Sequence, residues 1–126
     1  MSEGSRSSAQ GARGDVTFQA GEREVRVLFT NRALADVERR LGRGIVAVIQ
    51  DMSQGDAGIT ETVQILQAGM EAARRDAREP GPAVQANQAF DVMDAAGFAT
   101  VLEAVMAAIS DVLSYGVDDE GADPNL

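Results

Sequence analysis

Asp15-Val16-Thr17-Phe18-Gln19-Ala20-Gly21-Glu22-Arg23-Glu24-Val25-Arg26-Val27-Leu28-Phe29 carries the clearest alternation in the chain. Val16 and Phe18 flank Thr17, and Val25, Val27 and Phe29 interleave with Glu24, Arg26 and Leu28. A period of two puts the valines and phenylalanines on one face and mostly charge on the other. Gly21 sits between the two runs, and without a Cβ it accepts the positive φ of a tight turn. The stretch predicts a β-hairpin. Two strands alone are marginal in water, so this hairpin must rest on helices or on another chain.

Downstream of it the period changes from two to that of a helix. Thr30-Asn31 breaks the alternation, and Asn31 is the expected N-cap of a helix over 32–41 with Leu34, Val37 and Leu41 on one side. Gly42-Arg43-Gly44 stops it, and Ile45, Val48, Ile49 and Met52 form a second short stripe ending near Gly55. A longer helix is expected over 61–78, with Ile65, Leu66, Gly69, Met70 and Ala73 apolar and Arg74, Arg75 and Arg78 suited to the negative end of its dipole. Glu79-Pro80-Gly81-Pro82 is a break. A helix over 83–96 follows, with Val84, Phe90, Val92 and Met93 as its apolar residues, then a last one over 98–114 with a broad apolar stripe closed by Gly116. The expected fold is α+β: an N-terminal hairpin and a mostly helical remainder of four or five helices, forming one domain over 15–116. Residues 1–14, small and polar, read as a disordered arm, and 117–126 as a mobile acidic tail.

Composition narrows the chemistry. At 44% hydrophobic but only 4% aromatic, the core must be aliphatic, which favours helix-on-helix packing. Cysteine and histidine are absent, which removes disulfides, thiolate metal sites and the commonest general base. All eleven basic residues are arginines at or before Arg78, facing twelve acids in the first 80 residues; the last 46 hold eight acids and no base. A half this acidic repels a phosphate backbone. No apolar run reaches membrane-spanning length, and no apolar stretch of a secretory signal opens the chain, so the expected compartment is the cytoplasm.

Several short patterns suggest chemistry, and each has a plainer reading. Arg13-Gly14-Asp15 matches an adhesion triplet, a match common by chance. The Gly42-Arg43-Gly44 turn suggests helix-turn-helix, but Ile45 to Met52 offers no arginine or lysine to a base or phosphate. No lysine follows those glycines, so they form no phosphate loop. Glu22 with Glu24 and Asp36 with Glu38 are carboxylate pairs on solvated faces. Asp118, Asp119, Glu120 and Asp123 lack the spacing of a calcium loop. Met52, Met70, Met93 and Met106 read as core filler, with an adaptable binding groove as the alternative. No residue is left as a catalytic, cofactor or metal candidate. The wide apolar stripe of the last helix points instead to partner binding through Val105, Met106 and Ile109.

The run Arg13 to Phe18, the run Arg23-Glu24-Val25-Arg26-Val27-Leu28-Phe29-Thr30, and Ala33-Leu34-Ala35-Asp36-Val37-Glu38-Arg39-Arg40-Leu41-Gly42 together resemble a known family. It is the tail-assembly chaperones of gene transfer agents and siphophages, in particular the gene-transfer-agent group also labelled tail tube protein. The later helices, through Asp94-Ala95-Ala96-Gly97, are similar more loosely, and the Glu79–Ala86 loop matches nothing in the family pattern. The resemblance implies a non-enzymatic protein that coats the helical tape-measure protein during tail morphogenesis and helps to recruit tail tube subunits. It supplies no catalytic residues. The unsupported hairpin adds an expectation of self-association into a homo-oligomer. A structural tail subunit, tube or adaptor, is the alternative, although tube subunits are usually richer in strand.

Overall fold

The computed structural model of the chain describes residues 14–122. The expected arm, apart from Gly14, lies outside the described residues, as does Asp123. The fold is α+β: β1 (Asp15–Ala20) and β2 (Arg23–Leu28), then α1 (Asn31–Leu41), α2 (Ile45–Ser53), α3 (Ile59–Asp76), α4 (Ala86–Ala96) and α5 (Phe98–Ala122).

The strands pair antiparallel with Val16 opposite Val27 and Phe18 opposite Val25. Gly21 takes the turn at φ 67°. Val25, Val27 and Phe29 are buried, as their alternation predicts. Leu28 is buried too, on the face expected to be mostly charged, because helices come up against that face at its α1 end. There Arg26 bridges Asp15 at 2.8 Å and Asp76 of α3 at 2.7 Å, so the charges on this face tie the sheet to α3.

Helix α3 is the centre of the molecule. It packs on β2, α1, α4 and α5, and it buries Thr62, Val63, Ile65, Leu66, Ala68, Gly69, Met70 and Ala73, more than one helix face. Thr62 satisfies its hydroxyl by donating to the Gly58 carbonyl at 2.8 Å. Gly69 allows the closest approach to the sheet: a Cβ there would stand 2.6 Å from Phe29 Cζ and 3.0 Å from Val27 Cβ.

Several boundaries differ from the sequence reading. Thr30, not Asn31, caps α1: its backbone is extended and its Oγ1 accepts from Ala33 N at 3.1 Å. Gly14 does not belong to an arm. It is buried, its carbonyl accepts from Phe29 N at 2.9 Å, its N–H donates to Asp111 Oδ2 at 3.2 Å, and a Cβ would collide with the Phe29 carbonyl and Val112. Helix α5 continues past Gly116 to Ala122. Phe90 of α4 is 41% exposed, while Ala89, Val92 and Met93 face the core. α4 and α5 meet at Gly97 with a bend of 112°, and among the described residues no single helix is long and apolar enough to cross a membrane.

Candidate functional site

Short-range chemistry accounts for most of the residues that suggested catalysis. Glu38 Oε2 accepts from Ile45 N at 2.8 Å, giving α2 the N-terminal acceptor that Gly44 cannot supply. Asp36 accepts from Arg39 Nη2 at 2.7 Å and Arg40 Nε at 2.8 Å. Partial burial pushes the Asp36 carboxyl up, but Arg40 and Arg39 outweigh it and hold it below the ordinary value. Glu22 and Glu24 are exposed on the hairpin. Arg43 of the glycine turn bridges Asp51 and, at 3.3 Å, Glu61, joining α2 to α3 rather than reaching outward. Among the described residues no three carboxylates group so as to hold a metal ion. The side chains of Asp118, Asp119 and Glu120 lie outside the described part.

The surface expected on α5 is mostly interior. Val105 and Ile109 are 0% exposed, packed among the core side chains, and only Met106 keeps surface, half-buried at the rim. The stripe is consumed because α5 packs against β1, β2, α2, α3 and α4, and Val101, Ala104, Val105, Ala108 and Ile109 are all buried there. Val105 and Ile109 are thereby corrected to core residues.

A hollow lies elsewhere, between α1 and the C-terminal half of α3. It is an open groove of about 690 Å³. Its buried and half-buried lining is small and apolar: Leu28, Ala33, Ala68, Ala72 and Val84. Its walls are charged, with Arg32, Arg39, Arg40 and Arg75 against Asp36, Glu71 and Asp76.

Glu71 organises one wall. It accepts from Arg74 Nε and Nη2, each at 2.9 Å, from Arg75 Nε at 2.8 Å, and from Val84 N at 2.9 Å. The Arg74 hydrogen bonds, over a smaller opposing push from burial, and then Val84 N and Arg75, hold its carboxyl at about 2. Arg74 Nη1 also donates to Glu79 O at 2.7 Å, and Gln67 Nε2 to Val84 O at 3.0 Å. The Glu79–Val84 loop is thus pinned along α3 as the end wall of the groove.

The carboxylates of Asp36 and Glu71 are already engaged, while the groove's arginines keep donors to spare. Both oxygens of Asp36 are taken, and each oxygen of Glu71 accepts two bonds. Arg39 and Arg75 each spend one nitrogen and are 72% and 67% exposed. Arg32 is exposed and makes no ion pair among the described residues. A guanidinium carries five N–H donors, so the surface has spare capacity for carboxylates. In the sequence these arginines read as an ordinary solvated helix face. The available signal was the pairing of Arg32, Asp36, Arg39 and Arg40 on one side of α1 with the Ala68, Ala72, Arg75 spacing on α3. No protein-family model, curated protein or solved structure matches the chain.

Proposed function

We propose that the chain is a non-catalytic binding protein, a tail-assembly chaperone of the phage or gene-transfer-agent kind. On this reading it holds a helix of the tape-measure protein in the host cytoplasm and hands it to tail tube subunits, with no part for nucleic acid or membrane. The observation that carries the reading is the α1–α3 groove, with its alanine floor and arginine walls. Helix axes pack 8–10 Å apart depending on the side chains at the contact, and alanines allow the near end of that range. Arginine walls fix the orientation of what enters through charge-assisted hydrogen bonds. The family resemblance supplies the identity of the helix, and the groove supplies a place for it.

The test is co-expression with a tape-measure protein, reading the fraction of partner kept soluble. Ala72→Trp fills the groove from a half-buried position at the edge of the core. It should abolish retention while the circular dichroism melt stays within a few degrees of wild type. Equal retention by the folded variant would remove the groove as the site. A chain found as a regular component of finished particles would favour the structural-subunit reading, to which the outer edges of the two-stranded sheet lend an attachment point.

A further inference from the structure

We infer that the α1–α3 groove selects an acidic helix, one whose carboxylates stand two turns apart to meet Arg32 and Arg75 at one end and Arg39 at the other, with a small uncharged face between them. The inference rests on the groove reading above and names the chemistry of the occupant.

Charge complementarity is the first argument. Four arginines, Arg32, Arg39, Arg40 and Arg75, line the groove with three carboxylates, and each carboxylate is already answered. Asp36 pairs with Arg39 and Arg40, Glu71 with Arg74 and Arg75, and Asp76 with Arg26. Arg26 and Arg74 stand outside the lining, so they offset groove carboxylates without spending the groove's own arginines. What remains is a basic site, rich in unused guanidinium donors, in a chain of net charge −9. A long polyanion would meet the acids around that site. A short helix brings a few carboxylates into contact with the arginines, and charges more than about 8 Å away are largely screened at physiological salt.

Spacing is the second argument. Phe29, just before α1, lies against Gly69, and Arg43, just after α1, pairs with Glu61, so α1 and α3 run antiparallel. Arg75, beyond Gly69 on α3, therefore stands toward Arg32 at the start of α1, and Arg39 stands near the end of α1. Arg32 and Arg39 are seven residues apart on one face, about 10 Å along the axis. Carboxylates seven residues apart on an occupant helix span the same length. Asp36 sits between the two arginines with both oxygens engaged, and it repels a carboxylate placed opposite it. The middle of the occupant is therefore uncharged, and small enough to lie on Ala33, Ala68 and Ala72.

The experiment is fluorescence anisotropy of the full chain with labelled alanine-based helical peptides of about 20 residues. One peptide carries two glutamates seven residues apart, a twin carries glutamine at both places, and a third has its glutamates four apart. At about 50 mM salt the first should bind at least about tenfold tighter than the twin and about threefold tighter than the third, and about 0.5 M salt should remove most of the advantage. Arg39→Gln with Arg75→Gln, at two highly exposed positions, should erase the preference over the twin. If that double variant loses its circular dichroism signal, Arg32→Gln decides instead. Arg32 is exposed and makes no ion pair among the described residues, so its loss should weaken the acidic peptide at least about threefold and leave the twin unchanged. Equal binding of the acidic peptide and its twin, or no loss in these variants, overturns the inference. Displacement of the acidic peptide by an equal concentration of a duplex DNA oligonucleotide also overturns it, by making the groove a general anion site. Tape-measure retention that is lost in Ala72→Trp but unchanged in Arg39→Gln with Arg75→Gln removes the acidic selectivity and keeps the groove reading. Acidic-peptide binding with no tape-measure retention removes the chaperone reading and leaves the selectivity standing.

Discussion

Replacing Glu71 with glutamine removes the charge from the carboxylate that ties Arg74, Arg75 and the Val84 backbone together while keeping the side chain's size. The carboxyl sits at about 2 against an ordinary 4.5. At 1.36 kcal/mol per unit that difference corresponds to a ceiling of about 3.4 kcal/mol. Glu71 is only 12% exposed, but Arg75 is 67% exposed, so solvent screening brings the figure down to about 2 kcal/mol. In a domain of this size that is a fall in melting temperature of about 8 °C. The sign with pH follows from the lowered value. The charge contributes fully above about pH 4.5 and its contribution is lost as pH falls toward about 2, with about two-fifths remaining at about pH 3. Urea unfolding followed by circular dichroism should give a wild-type advantage of about 2 kcal/mol at about pH 6 and under about 1 kcal/mol at about pH 3. A gap that is the same at both pH values, or below about 0.5 kcal/mol at the higher one, would refute Glu71 as a charged pin of the loop.

Three other substitutions probe the packing. Gly69→Ala, a gain in most exposed helices, should cost about 2 kcal/mol in urea unfolding, because the added methyl would sit 2.6 Å from the Phe29 ring. Glu38→Ala should cost about 1 kcal/mol by leaving Ile45 N without its acceptor; an unchanged melt would show that water replaces Glu38 fully. Val105→Asp should abolish the cooperative thermal transition, since it buries a charge at a position 0% exposed, whereas Met106→Glu at the rim should fold with a loss under about 1 kcal/mol. Equal behaviour of the two would mean that α5 is not seated as described.

The hairpin and the order of the five helices were legible in the sequence, because period and punctuation act within single elements: Val25-Arg26-Val27 can alternate only as a strand, and Gly42 stops α1 by taking φ 72° whatever surrounds it. The hairpin's apolar face and the buried sides of α1, α2 and most of α3 came with them. What covers each face was decided by tertiary structure. Phe29 and Phe90 look alike in sequence, yet one is sealed against Gly69 and the other is 41% exposed. Gly14 looks like the end of a polar arm, yet it fits between Phe29 and Val112, 98 residues further along. Thr30 and Asn31 both carry a side-chain oxygen suited to capping, and the extended backbone at Thr30 selects it. The width of the α5 stripe suggested spare apolar surface at Val105 and Ile109, but periodicity counts apolar residues and not the number of elements packed around them. The groove was the least legible feature for the same reason. Its arginines on α1 and its alanines on α3 each read as unremarkable within their own helix, and only the packing of α3 beside α1 sets charge above a floor small enough to admit another backbone.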